Sequence, residues 1–228
     1  MATYSLTALV LKKTKLSETD LILTLLGSDG ALYKGIAKGA RKPGSKFGGR
    51  GEPGTVFQAL IARGKSLDII TDAKTIESHR VLREDYDATL TLSVVLDLAA
   101  AVSQEALAEE RFYALTIATL DALTQVLKLD RDECATRQHL KVILIAYLLK
   151  AAAMQGYRPD FDEQPFDNPD DIQRRYLAYL LGSTYGELIE ADISTYPNID
   201  ELLETTRKFV VENIPARLRA LDYYSSMQ

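Results

Sequence analysis

The chain has 228 residues, 46% of them hydrophobic and 26% charged, enough for one large domain or two small ones with a sizeable core. Its single cysteine excludes a disulfide framework and any zinc or iron–sulfur site built from cysteines of this chain alone, and two histidines exclude a His-rich metal centre. A formal net charge of −5 argues, taken whole, against a nucleic-acid partner.

In chain order, residues 1–80 read as strands. Tyr4–Leu11, Leu21–Leu26, Ala31–Ala37, Thr55–Ala62 and Leu67–Ile76 are short runs rich in Val, Ile, Leu, Tyr and Thr, with breakers between them. Ser28-Asp29-Gly30 and Arg63-Gly64-Lys65 are turn signals joining the second run to the third and the fourth to the fifth. Five short strands are too few for two sheets and predict a small OB-fold barrel. Lys38–Gly54 carries six glycines and two prolines in 17 residues and reads as a long flexible loop. The apolar run Leu6–Leu11 precedes the lysines of Met1–Lys15, the reverse of a signal peptide, so a cytoplasmic, nucleoid-associated location is expected.

Residues 81–228 read as helices. Asp87–Ala108, Glu110–Lys128 and Arg131–Gln155 are rich in Ala and Leu and lack internal Gly or Pro, and Gly156 stands where a C-cap glycine belongs. Val142–Leu149, between Lys141 and Lys150, is the longest apolar run. It falls short of the ~18 residues of a membrane span and predicts the buried centre of a bundle, with no membrane partner. Tyr157–Asp171 is loop-like, and further helices follow at Ile172–Leu181 and Ile199–Asn213, with a last turn around Ala216–Tyr224. The expected fold class is α+β, a five-stranded barrel over 1–80 and an all-α domain over 81–228.

The charge divides along the same line. Residues 1–80 hold 13 Lys/Arg and 7 Asp/Glu, +6, whereas 81–228 hold 14 and 25, −11. Between Gly30 and Gly51 there is no acid, yet Lys34, Lys38, Arg41, Lys42, Lys46 and Arg50 are all present. Six like charges repel one another unless a polyanion offsets them, so this stretch, with Arg63 and Lys65 and an extension through Lys12, Lys13 and Lys15, is the candidate DNA-binding surface. Tyr33 and Phe47 are candidates to stack on bases, each worth ~1–3 kcal/mol where stacking occurs.

Other motifs carry less. Gly49–Gly54 spells G-x-G-x-x-G, but it lacks the preceding strand and following helix of a dinucleotide site. Gly39–Lys46 ends in Ser-Lys where a phosphate loop needs Lys-Ser or Lys-Thr. Cys134 and His139 are five apart and do not share a helix face cleanly, so a buried thiol and a surface or capping histidine are expected; His79 lies at the domain junction. Asp167, Asp170 and Asp171 read as a solvated acidic loop rather than a cation site. No constellation supports acid–base or nucleophilic chemistry, so neither enzyme nor cofactor is expected.

Several strings are similar to the bacterial recombination-mediator family RecO: Ala8-Leu9-Val10-Leu11, then Glu18-Thr19-Asp20 through Leu26, then Ala37-Lys38-Gly39-Ala40-Arg41-Lys42-Pro43 followed by Ser45–Arg50 and Glu52-Pro53. Weaker likeness continues in Gly156–Asp160 and Ile214–Arg219. The resemblance implies an OB-fold, a helical domain, binding of single- and double-stranded DNA, strand annealing, and work with RecR and single-stranded-DNA-binding protein. For the acidic C-terminal tail of that protein the helical half is the expected receptor, with an Arg or Lys such as Arg137 or Lys141 near an apolar groove. The alternative is an adaptor whose basic loop docks an acidic partner or RecR instead of DNA. Many family members carry a four-cysteine zinc site; Gln164, Asp167, Glu190 and Ile193 stand at the corresponding places, so no structural zinc is expected.

Overall fold

The computed structural model describes residues 2–45, 47–105, 108–161, 171–196 and 198–226. Strands β1 (Thr3–Lys15), β2 (Leu21–Gly27), β3 (Leu32–Ala37), β4 (Val56–Ala62) and β5 (Asp68–Glu77) close into a barrel in the order β1-β2-β3-β5-β4, antiparallel throughout except for β3 beside β5. This is the five-stranded OB-type barrel expected from the sequence. Alternation decides the inside: Leu6, Ala8 and Val10, Leu23 and Leu25, and Phe57, Ala59 and Ile61 point into one core with Ile70.

β1 runs four residues beyond the expected Leu11, because Lys12–Lys15 pair with Leu21–Thr24 of β2. A bulge between Val10 and Lys12 bends it, so its first half pairs with β4 and its second half with β2.

The chain divides into two compact units, Met1–Arg80 with Ser103–Ala114, and Val81–Val102 with Leu115–Gln228. In the first, the Leu32 amide donates to the Gln104 carbonyl at 3.1 Å. That attachment ends helix α1 (Tyr86–Val102) six residues before the expected Ala108: a hydrogen bond to a distant strand outweighs the local helix propensity.

The second unit continues with α2 (Glu110–Val126, whose first turns belong to the barrel unit), α3 (Glu133–Met154), α4 (Asp171–Gly182), α5 (Tyr185–Glu190), α6 (Ile199–Asn213) and α7 (Arg219–Ser226). Every residue from His139 to Leu149 is buried, as the apolar run predicts, and α3 is the axis against which α1, α4, α5 and α6 pack. Asp132 caps its start, accepting from the Ala135 amide at 2.7 Å. Gly156, at φ 91°, ends it: its amide reaches Ala153 O and that of Tyr157 reaches Ala152 O, the paired bonds of a Schellman turn. None of the described helices is long and apolar enough to cross a membrane.

Cys134 and His139 exchange their expected environments. Cys134 lies in the exposed first turn of α3, whereas His139 opens its buried stretch, with Nδ1 2.8 Å from Ala135 O. Burial holds the His139 pKa below 6.5, so the ring is neutral at physiological pH.

A candidate nucleic-acid interface on the barrel

The glycine-rich segment between β3 and β4 is not the flexible loop its composition suggests. It is a chain of hydrogen-bonded turns: Lys42 N to Gly39 O, Ser45 N to Lys42 O, Gly48 N to Ser45 O, Glu52 N to Gly49 O and Thr55 N to Glu52 O. Gly39, Gly44, Gly49 and Gly54, five residues apart, all take positive φ between 68° and 85°. Gly39 is the position that matters most, because a left-handed backbone there aims its amide at Asp20 Oδ1, 2.8 Å away.

Two further contacts fasten the chain. Arg41 Nη1 donates to the carbonyls of Ser17 (2.9 Å) and Glu18 (2.8 Å), while its amide donates to Thr19 O, tying the turns to the β1–β2 connection. Phe47 is 4% exposed and belongs to the barrel core. It therefore offers no ring to a base, contrary to the sequence expectation, because the apolar interior captures the one large hydrophobe of the segment. Tyr33 is half-buried. It lies opposite core-facing Leu25 in the β2–β3 register, packs against the core, and donates its hydroxyl to Asp29 at 2.6 Å, which with burial pushes its pKa up to about 12.

The cations fall into two groups. β1 and β3 run toward the turn chain, so Lys13, Lys15, Lys38, Arg41 and Lys42 gather at that end, all exposed or half-buried, with Arg50 half-buried. Lys13 is paired with Glu52 at 2.6 Å. Lys46 lies outside the described residues. Arg63 and Lys65 occupy the β4–β5 connection at the opposite end, where the Arg63 guanidinium stands 5.4 Å from the Tyr4 ring centroid. The outer face of β1, β2 and β3 runs between the two groups. There Lys12, Thr24 and Lys34 are cross-strand neighbours, and half-buried Ile22, Ile36 and Ile69 form the adjoining row. Lys34 is ion-paired with Glu105 at 2.8 Å, an exposed contact that solvent screens. The isoleucine row escapes a search for charge; its signal was the parity of the strands, which sends Ile22 and Ile36 outward once Leu23 and Ala37 point in.

In the helical unit, Arg137 and Lys141 stand in one cleft of about 360 Å3 with Tyr86, Leu90 and Tyr224. Arg137 Nε donates to Asp87 at 2.8 Å and Lys141 Nζ to Asp200, so each cation already has a carboxylate partner.

The N-terminal family model Recombination protein O N terminal matches residues 1–79. The protein named DNA repair protein RecO in Synechococcus elongatus is 42% identical over 225 residues, spanning 93% of this chain and 79% of that relative. The chain belongs to the RecO family. RecO proteins of Nocardioides and Bifidobacterium adolescentis, also named DNA repair proteins, are each 34% identical, over 68% and 70% of this chain and 60% and 61% of their own lengths.

The four-cysteine zinc site of many RecO proteins does not fit the residues present. Gln164 and Asp167 lie outside the described residues, as does Asp170. Glu190 ends α5 and Ile193 opens a 3-10 turn, an alkyl side chain where a ligand is needed. Among the described residues no three His, Cys, Asp or Glu side chains gather as a metal site would require. The described part of the segment is held by side-chain caps. Thr184 accepts from the Glu187 amide while Glu187 accepts from the Thr184 amide, a capping box that starts α5, a helix missing from the sequence expectation although its Thr-x-x-Glu signature is visible there. Lys150 Nζ donates to the carbonyls of Leu180, Leu181 and Ser183 at 3.0, 2.7 and 2.8 Å, closing the C-terminal end of α4.

Proposed function

We propose that this RecO-family chain serves DNA repair and recombination as a non-enzymatic DNA-binding and strand-annealing mediator. The carrying observation is the pinned chain of turns that holds Lys38, Arg41 and Lys42 together at the surface on a stretch without acids. Cations at fixed spacing replace counterions along a phosphate backbone, and annealing two strands needs their charge neutralised rather than any proton transfer. Lys12 and Lys34 extend the phosphate track over the outer barrel face, where Ile22, Ile36 and Ile69 give bases an apolar surface. Arg50, Arg63 and Lys65 contribute charge at its margins, and Lys46 adds charge to the same stretch of sequence.

In this reading the acidic helical unit docks partners, RecR and single-stranded-DNA-binding protein. The Arg137–Lys141 cleft suits the acidic C-terminal tail of the latter, whose carboxylates would replace Asp87 and Asp200 while an apolar side chain packs on Tyr86 and Tyr224.

The test is DNA binding and annealing by Lys38→Ala/Arg41→Ala/Lys42→Ala. Affinity for single and double strands should fall, and the log–log salt slope should shrink by about 0.9 for each duplex phosphate no longer neutralised. Arg41→Lys, which keeps the charge but not the two-carbonyl fork, should leave that slope intact. Unchanged affinity of the triple variant at low salt would sink the role of this surface.

A further inference from the structure

A second recess, of about 390 Å3, lies in the helical unit between α4 and the turn that leads to α6; Arg175, Tyr176, Tyr179, Asp192, Thr195 and Tyr196 line it. Tyr176 and Tyr179 are three apart on α4 and share a helix face. The Tyr196 ring stands 4.7 Å from that of Tyr176, centroid to centroid, and the Tyr176 hydroxyl donates to Thr195 O, so two of the three rings are fixed. Tyr179 remains 44% exposed and turns an uncovered aromatic surface to solvent.

Tyr196 Oη is shut off from solvent, with the Tyr179 phenol beside it. Burial, with the Tyr179 and Tyr176 phenols beside it, pushes its pKa up and keeps it neutral. Arg175 is exposed. Asp192 Oδ1 accepts from Ser194 N at 3.0 Å and Ser194 Oγ at 2.7 Å; these bonds hold its carboxyl below 3.8 and ionised, and leave Oδ2 outside them.

We propose that this recess binds one unpaired nucleobase of single-stranded DNA, stacked on Tyr179, with Arg175 on the adjoining phosphate and with Asp192 reading the base edge. Stacking on an aromatic ring beside an arginine is the general device of single-strand binders. An ionised carboxylate can only accept, so it favours a base edge that offers N–H groups: the exocyclic amine of cytosine matches it, and the O4 carbonyl of thymine opposes it. The inference rests on the DNA-binding reading for its choice of ligand, but on none of the barrel residues.

The experiment compares the full chain with Tyr179→Ala and Asp192→Asn on oligo-dC, oligo-dT, a duplex and free dCMP. Tyr179→Ala should bind oligo-dC roughly 5- to 150-fold more weakly, with duplex affinity and salt slope unchanged. Asp192→Asn should abolish a preference for oligo-dC over oligo-dT. Wild-type oligo-dC affinity in Tyr179→Ala, an equal loss on duplex, or dCMP bound as tightly as the oligonucleotide would overturn the inference. Failure here leaves the barrel variants' effect on both strand forms standing, and failure there leaves the Tyr179 effect standing, so the two proposals separate.

Discussion

Asp20 Oδ1 accepts the Gly39 amide at 2.8 Å, joining the β1–β2 connection to the first left-handed turn of the basic segment. That bond, with help from the Thr19 hydroxyl and the nearby Lys38 charge, holds the Asp20 carboxyl below its ordinary value of 3.8. One acid thus organises the segment that carries the cations, without lying among them in sequence.

Asp20→Ala should free the turn chain while leaving the barrel folded. Trypsin should then cut faster after Lys38 and Arg41, and DNA affinity should fall although no cation has been removed. Because the folded pKa is depressed, the bond is fully present above the unfolded value and disappears as pH falls through the folded one. The wild type should therefore lose hydrogen-exchange protection at the Gly39 amide as pH falls well below 3.8. Equal cleavage of the variant and wild type at neutral pH would show that the bond does not restrain the segment.

Phe47→Ala tests where the aromatic ring of that segment works. A core position predicts a stability loss of roughly 3–5 kcal/mol in urea unfolding. A base-stacking position predicts normal stability and weaker binding of single strands.

Lys150→Met keeps the aliphatic stem and removes the ammonium that the carbonyls of Leu180, Leu181 and Ser183 share. Leaving those carbonyls without a donor should cost roughly 1–3 kcal/mol, seen as a lower Tm. Added zinc should not restore it, since the segment's residues do not fit that ion.

His139 gives the stability a pH dependence of definite sign. Burial lowers its folded pKa below 6.5, so the unfolded chain binds the extra proton first. Stability should be complete above pH 6.5 and decline as pH falls toward the folded pKa. His139→Asn, whose amide can still donate to Ala135 O, should flatten the Tm profile between pH 5 and 7. An unchanged profile would assign the acid sensitivity to other groups.

The sequence alone determined the alternation that builds the barrel, the all-round apolarity that buries the middle of α3, the glycine that ends it, and the opposed charges of the two halves. These features are local: period, cap chemistry and charge are properties of neighbouring residues. The tertiary structure decided the rest. Leu32 pairs with Gln104 and shortens α1; the barrel interior claims Phe47; strand parity turns Tyr33 inward and Ile36 outward; and strand direction divides the candidate cations between two ends of the barrel. Tyr176 and Tyr179 could be seen to share a helix face, but Tyr196 meets them only through the fold. Each of these depends on a partner far along the chain, whose burial or hydrogen bond outweighs local propensity by more than the few tenths of a kcal/mol, roughly, that propensity commands.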